Sequence, residues 1–386
     1  MHNEKSNTGR PLRVTVVTKS GSLAGGANTY EAAVIRVLSE LEEGGSVELS
    51  VLVPAEVPGA EGDVEQQSSR HYPNSVLSKV RSLIASTPVG RLIATVFPLS
   101  PLQRSLKSLT PDLVYFPSPN IHAMGVYKYP YVFTVWDLGH RELRQFPEFA
   151  NPVEYFLRER LYRKAFSRAS SILTDSMWTG HRLEEIYGLS ADRWLSLGMA
   201  FTVSVPTNVK SIDVNGPYFL YPAQRWPHKN HRTLLEAFAQ VVKVRPDAKL
   251  VLIGSSKGGG VDLESWIGEL GIANNVMDLG FVDSSTTFGL IAGAQAVVMP
   301  TYLGPTNLPP IEAASLGVRS IVSDVHHFDE PISDYLLPVP ASEPHRWTDA
   351  MFAIFSATSP ARWRGEPDVT EKLEAVLSVF DPAKGT

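Results

Sequence analysis

The chain contains no cysteine. Disulfides, thiolate metal sites and cysteine nucleophiles are therefore excluded, and a reducing compartment is the expected home. It also lacks any run of the ~18–20 apolar residues that a membrane span needs. The first ten residues are polar and include Glu4, which does not fit a secretory signal. An excess of positive charge is missing too: 35 Lys and Arg face 40 Asp and Glu, a net charge of −5, which argues against a nucleic-acid partner. No GxGxxG fingerprint occurs, and no Ser, His and Asp stand at the spacing of a hydrolase signature. What the 386 residues do hold is 43% hydrophobic side chains, enough for two well-filled cores.

Short β-branched runs alternate with helix-period segments, twice over. In the first half, strands are predicted at 12–18, 47–53, 112–116, 131–136 and 171–174, with helices at 30–41, 152–166 and 176–187. The second half predicts strands at 218–222, 249–253, 275–279, 296–300 and 319–323. Helices are expected at 230–244, 263–270, 285–292 (capped by Ser284) and 308–316. This order implies an α/β protein of two doubly wound, Rossmann-like domains. The expected boundaries are 1–204 for the first domain, 205–216 for a linker, 217–358 for the second domain and 359–386 for a C-terminal helical segment.

One stretch departs from the acidic average. From Gln66 to Pro111 there is no acidic residue, while Arg70, Lys79, Arg81, Arg91, Arg104 and Lys107 are basic. Val76, Val80, Leu83 and Ile84 recur at helical spacing among them. A basic amphipathic segment over 70–107 is suited to an anionic membrane surface, so the expected location is cytoplasmic, peripheral on the inner face of a membrane.

Four loops carry candidate chemistry. In YLGPTNLPPIEAASLG, residues 302–317, Pro309 and Pro310 suit the first helical turn. The amides of Thr306, Asn307 and Leu308 then point off a helix N-terminus, a ready anion site, and Glu312 one turn in can accept from vicinal hydroxyls. In YPAQRWPHKNH, residues 221–231, Lys229 and Arg225 follow a strand and can place positive charge on a diphosphate. In GSLAGGANTY, residues 21–30, Gly25 and Gly26 permit close backbone approach. In TVWDLGHRELRQFPE, residues 134–148, Asp137 and His140 stand at a strand end, where they could orient sugar hydroxyls or handle a proton. His326 and His327 with Asp324 make a poor metal set, because adjacent side chains in a strand point oppositely.

With these residues in place, the chain resembles the GT-B glycosyltransferases of the large retaining family 4, most closely from Tyr218 to Val339. YPAQRWPHKNHRTLLEAF is similar to that family's donor-phosphate loop and following helix, and the ordered stretch from NVMDLGFV to IVSD is similar to its donor domain. The resemblance implies a nucleotide-diphosphate sugar as co-substrate, with no cofactor and no metal. Lys229, Arg225 and the amides at 306–308 would hold the diphosphate and Glu312 the ribose. The base would lie near Gly254, Ser255 and Phe281. A glycan or lipid-linked acceptor would approach Gly25, Gly26, Asp137 and His140, with Asp137, His140 and Lys229 at the reacting centre. Three positions depart from the family pattern. Gly304 stands where a Glu is common, Gln224 where an Arg is common, and Trp136 where a His often precedes the Asp. They motivate an alternative, a non-catalytic nucleotide-sugar-binding protein that keeps the fold.

Overall fold

A computed structural model describes residues 10–19, 26–55, 69–87, 89, 100–256, 261–304, 306–358, 360–363 and 369–378. The chain divides into two compact units. The first comprises Met1–Trp136, Phe156–Gly198 and Pro367–Thr386, and the second Asp137–Tyr155 and Met199–Glu366. Neither is one run of chain. The segment 137–155 and the linker 205–216 both fall in the second unit, whereas the terminal helix Val369–Ser378 falls in the first.

The first unit is built on seven parallel strands. These are β1 (Leu12–Val17), β2 (Val47–Pro54), β3 (Ser69–Tyr72), β4 (Leu113–Phe116), β5 (Tyr131–Val135), β6 (Ser171–Thr174) and β7 (Trp194–Ser196), in the order β3-β2-β1-β4-β5-β6-β7. The central strands are apolar on both faces because helices cover both: Val14, Val16, Val51, Phe116 and Phe133 are all essentially inaccessible. At the lower end of β1 and β4, Asp112 pairs with Arg10 at 2.6 Å and Arg13 at 3.2 Å, which holds its carboxyl well below the usual range.

The second unit holds six parallel strands: β8 (Tyr218–Pro222), β9 (Lys249–Ile253), β10 (Val276–Gly280), β11 (Ala296–Met299), β12 (Arg319–Ser323) and β13 (Leu336–Val339), in the order β10-β9-β8-β11-β12-β13. The chain leaves β8 in one direction, through β9 to β10, then returns to its other side at β11. The topological switch point therefore lies between β8 and β11. The helix His231–Val244 after β8 buries Leu234, Leu235, Phe238 and Val241, the three- and four-residue spacing of one helical face.

Both sheets carry the strands expected from sequence. The short edge strands β3, β7 and β13 escaped that reading. Three or four residues give too little alternation to detect, and their pairing depends on the neighbour they lie against. Two local expectations are corrected. The helix Ser284–Gly293 is capped by Asp283, whose carboxylate accepts from the Thr286 amide at 2.7 Å, not by Ser284. His326 and His327 lie in the turn after β12, not in a strand.

Candidate functional site

The switch point of the second unit brings together the loop after β8 and the loop after β11. In the first, a 3-10 turn, Pro227–Lys229, ends at Asn230, which takes the left-handed conformation at φ 59°. That costly geometry is held from inside. The Asn230 amide donates to the carbonyls of Pro300 at 2.9 Å and Ala341 at 2.8 Å. The Tyr302 amide donates to the His228 carbonyl at 2.8 Å, and Thr301 Oγ1 to the same carbonyl at 3.2 Å. The two loops are thus one hydrogen-bonded unit.

Across that junction Lys229 Nζ donates to Asn307 Oδ1 at 3.3 Å. Burial pulls the Lys229 ammonium down to about 8, opposed by the charge of Asp137. Its described partner is a neutral amide oxygen, so the cation is desolvated but not neutralised by an ion pair there.

Asn307 is the N-cap residue of the helix Leu308–Ser315, yet its side chain makes no cap. It is spent on Lys229, the Gly304 carbonyl at 3.3 Å and His326 at 2.9 Å. Pro309 and Pro310 carry no N–H, so the helix start exposes mainly the amides of Asn307 and Leu308, for which no intramolecular acceptor is described. Glu312 sits one turn in with no described hydrogen bond, and burial pushes its carboxyl up to about 7.

Gly254 ends β9 at φ 133° and donates to the Gly280 carbonyl at 2.7 Å. A Cβ there would sit 2.4 Å from the Ala223 carbonyl, so only glycine fits. The Arg225 amide donates to the Ser255 carbonyl at 3.3 Å. Arg225, Gly254, Ser255 and the strongly exposed Phe281 therefore share one edge of the sheet. The Arg225 guanidinium pairs with Asp278 rather than pointing to Lys229.

Asp137 and His140 fold with the second unit. Asp137 lies two residues past β5, and its Oδ1 accepts from the Gly139 amide at 2.8 Å. His140 is buried in the helical turn Gly139–Glu142, 5.8 Å from the Tyr155 ring. The same segment supplies a residue that the sequence reading missed, Glu148. One of its oxygens accepts from the His228 backbone at 3.0 Å and from His228 Nδ1 at 2.6 Å; the other is buried with no partner. Phe146 packs on Tyr302 at 5.4 Å, and Phe149 on His228 at 5.5 Å. Burial and the Lys229 charge outweigh Glu148 and push His228 down to about 4. The signal available for Glu148 was its place after Pro147 at the end of a motif already singled out.

Gly26 begins the helix Gly26–Glu43 of the first unit; Gly25 lies outside the described residues. Of the three unusual positions, Trp136 packs edge-on against Tyr30 at 5.7 Å. Gln224 accepts from the Trp226 indole at 2.8 Å. Gly304 adopts φ 108°, where a Cβ would meet Asn307 Nδ2 at 2.6 Å. Its backbone path is one that a side-chain-bearing residue rarely takes.

Two parallel, doubly wound sheets define the class: an α/β protein of the GT-B fold. Residues 207–356 match the family described as glycosyl transferases group 1. Among curated proteins the chain is similar to the O-antigen chain mannosyltransferase RfbU of Salmonella typhimurium, 28% identical over 135 residues, which is 35% of this chain and 37% of the relative. The chain thus spans about a third of the length of the curated relatives it matches. Among solved structures, sucrose-phosphate synthase of Thermosynechococcus elongatus aligns with 97% of each chain at TM-score 0.69 and 17% identity. HepE of Anabaena, crystallised with UDP and glucose, aligns over 96% of this chain and 95% of that one at TM-score 0.65 and 15% identity. At these identities the structures establish the fold.

Proposed function

We propose that the protein is a retaining glycosyltransferase. It would move a hexose or deoxyhexose from a nucleotide-diphosphate sugar to a glycan or lipid-linked acceptor in surface polysaccharide or glycolipid synthesis. The observation that carries this reading is the desolvated Lys229 ammonium, 3.3 Å from Asn307 at the start of a helix with free amides. A diphosphate would supply the contacting ion-pair partner that Lys229 lacks. Glu312, half-buried without a described partner, suits a pair of ribose hydroxyls, and the edge at Gly254, Ser255 and Phe281 suits the base. The mannosyltransferase relative and the UDP and glucose bound to HepE support the donor class.

In the reaction the bond from the anomeric carbon to the diphosphate oxygen breaks. The acceptor oxygen bonds to the same carbon on the same face, and its proton passes to the leaving phosphate. Lys229 and the helix start stabilise the charge that develops on the leaving group, so the mechanism calls for no metal. The charge of Asp137 favours the protonated Lys229, and with His140 Asp137 would orient the acceptor hydroxyl. A thermal-shift panel of UDP, GDP, ADP and dTDP sugars tests the reading, because a ligand that binds only the folded state raises its melting temperature. No shift with any of them overturns it. Turnover of a bound donor separates the enzyme from the non-catalytic alternative that Gly304 keeps open.

The first unit adds a membrane surface to this proposal. The helix Val76–Ala85 buries its small residues, Ser78, Ser82 and Ala85, while Val76, Leu77, Val80 and Ile84 are exposed. Lys79 and Arg81 lie on the same helix, in a stretch free of acids from 66 to 111. Large apolar side chains turned outward beside uncompensated cations match an anionic lipid surface. No helix among the described residues is long and apolar enough to cross a membrane. Co-sedimentation with phosphatidylglycerol vesicles should fall with salt; equal co-sedimentation with neutral phosphatidylcholine would remove the electrostatic component.

A further inference from the structure

His326 has no role in the reading above, yet it closes a hydrogen-bond chain that ends on Lys229. The Ser323 hydroxyl, 3.2 Å from His326 Nδ1, gives its hydrogen to the Thr301 carbonyl and so can only accept from that ring nitrogen. His326 Nδ1 lies 2.9 Å from the Ser323 carbonyl, which can only accept, so Nδ1 carries the hydrogen. In the neutral ring Nε2 is then an acceptor, and the group 2.9 Å away is the Asn307 amide nitrogen, which donates. That nitrogen also donates to the Gly304 carbonyl at 3.3 Å, which fixes independently which end of the amide is which. The remaining atom, Asn307 Oδ1, must face Lys229 Nζ, 3.3 Å away. The ring is held in place by Phe328, stacked at 5.7 Å and 12°. Burial, the nearby Lys229 charge and His327 push His326 down to about 4, so the neutral form persists at neutral pH.

We propose that His326 is a positioning residue for the anion site: accepting from Asn307, it locks the amide so that a neutral oxygen, and not a donor, meets Lys229. Lys229 is thereby aimed without being neutralised, and its charge stays available to a phosphate. The chain also shows why Asn307 does not cap its own helix, and the carbonyl of Gly304 is part of the same lock. This inference rests on the proposed donor site for its ligand but not for its geometry.

The test has two arms. Nitrogen-15 NMR of the histidine rings in the unliganded protein at pH 7 should place the His326 hydrogen on Nδ1; a hydrogen on Nε2 overturns the proposal whatever the protein binds. In the second arm, calorimetry with whichever of UDP, GDP, ADP or dTDP binds the wild type compares His326→Leu and His326→Gln, alone and with Lys229→Met. Loss of one aiming hydrogen bond should weaken binding about fivefold in His326→Leu. His326→Gln, whose amide oxygen can take the place of Nε2, should recover most of the loss. In the Lys229→Met background His326→Leu should change affinity less than twofold. An equal loss in both backgrounds, or none in either, overturns the proposal. Binding of no nucleotide to the wild type would overturn the donor-site reading while leaving the NMR arm to decide the role of His326.

Discussion

The two units solve the same topological problem with opposite electrostatics. Each sheet turns back on itself beside its first strand, leaving two loops at the carboxyl ends of adjacent strands. In the first unit the buried acid there, Glu31, is consumed internally. Its carboxylate accepts from the Lys19 amide at 2.9 Å and from the Ser118 hydroxyl. Next to it Tyr72 donates to the Thr18 carbonyl at 2.8 Å, and Asn120 donates to Tyr72 at 3.1 Å. In the second unit Lys229 meets an amide oxygen and Glu312 meets no described donor. Taking a charged group out of water without a contacting ion-pair partner is costly, and the cost shows as an ammonium drawn down and a carboxyl pushed up. The proposed donor site rests on that contrast: the second corner holds groups that a ligand would complete, whereas the first, over its described residues, satisfies its acid internally.

The sharpest way to break this comparison is to remove one charge from each corner. Lys229→Met should weaken nucleoside diphosphate binding by roughly tenfold to a hundredfold, the range of a charge-assisted hydrogen bond, while leaving the melting temperature unchanged or higher. Glu31→Ala should do the reverse. It strands the buried Ser118 hydroxyl, at about 1–3 kcal/mol, and the part-buried Lys19 amide, at less, so the melting temperature should fall by several degrees with nucleotide affinity within twofold of wild type. Calorimetry and thermal denaturation on both variants decide it, and crossed outcomes would reverse the assignment.

A pH series sharpens the same point. The free protein binds a diphosphate best with Lys229 protonated and Glu312 ionised. Affinity should therefore rise through pH 7, as the Glu312 carboxyl loses its proton, and fall above pH 8, as Lys229 loses its own. Lys229→Met should abolish the alkaline fall and Glu312→Gln the acid limb; a flat profile in the wild type would mean that neither group faces the ligand. The smallest expected effect is at Gly304. Restoring the family's Glu there should not improve donor binding but weaken it a few-fold, because the added Cβ displaces Asn307. A gain in affinity for a nucleotide sugar would show that the backbone at 304 relaxes.

The β8 and β9 runs, the glycine stop at Gly271 and the Pro309-Pro310 start are local signals, and they were legible because propensity and period are local properties. So was Lys229, which follows a strand by a fixed distance. Glu148 was not legible as a partner of His228, since 80 residues separate them and no pattern joins a Phe-Pro-Glu turn to a Pro-His-Lys turn. His326 read as one half of a poor metal pair. Its actual neighbour, Asn307, reaches it only because β11 and β12 are adjacent strands.

Sequence alone determined the class of fold and the residue types at the anion corner, because alternating period and loop chemistry are written residue by residue. Tertiary structure decided which of those groups remain charged without an ion partner, which way the Asn307 amide points, and that Asp137 and His140 fold with the second unit. Those outcomes follow from burial and from the order in which strands lie side by side, and both depend on residues distant in the chain.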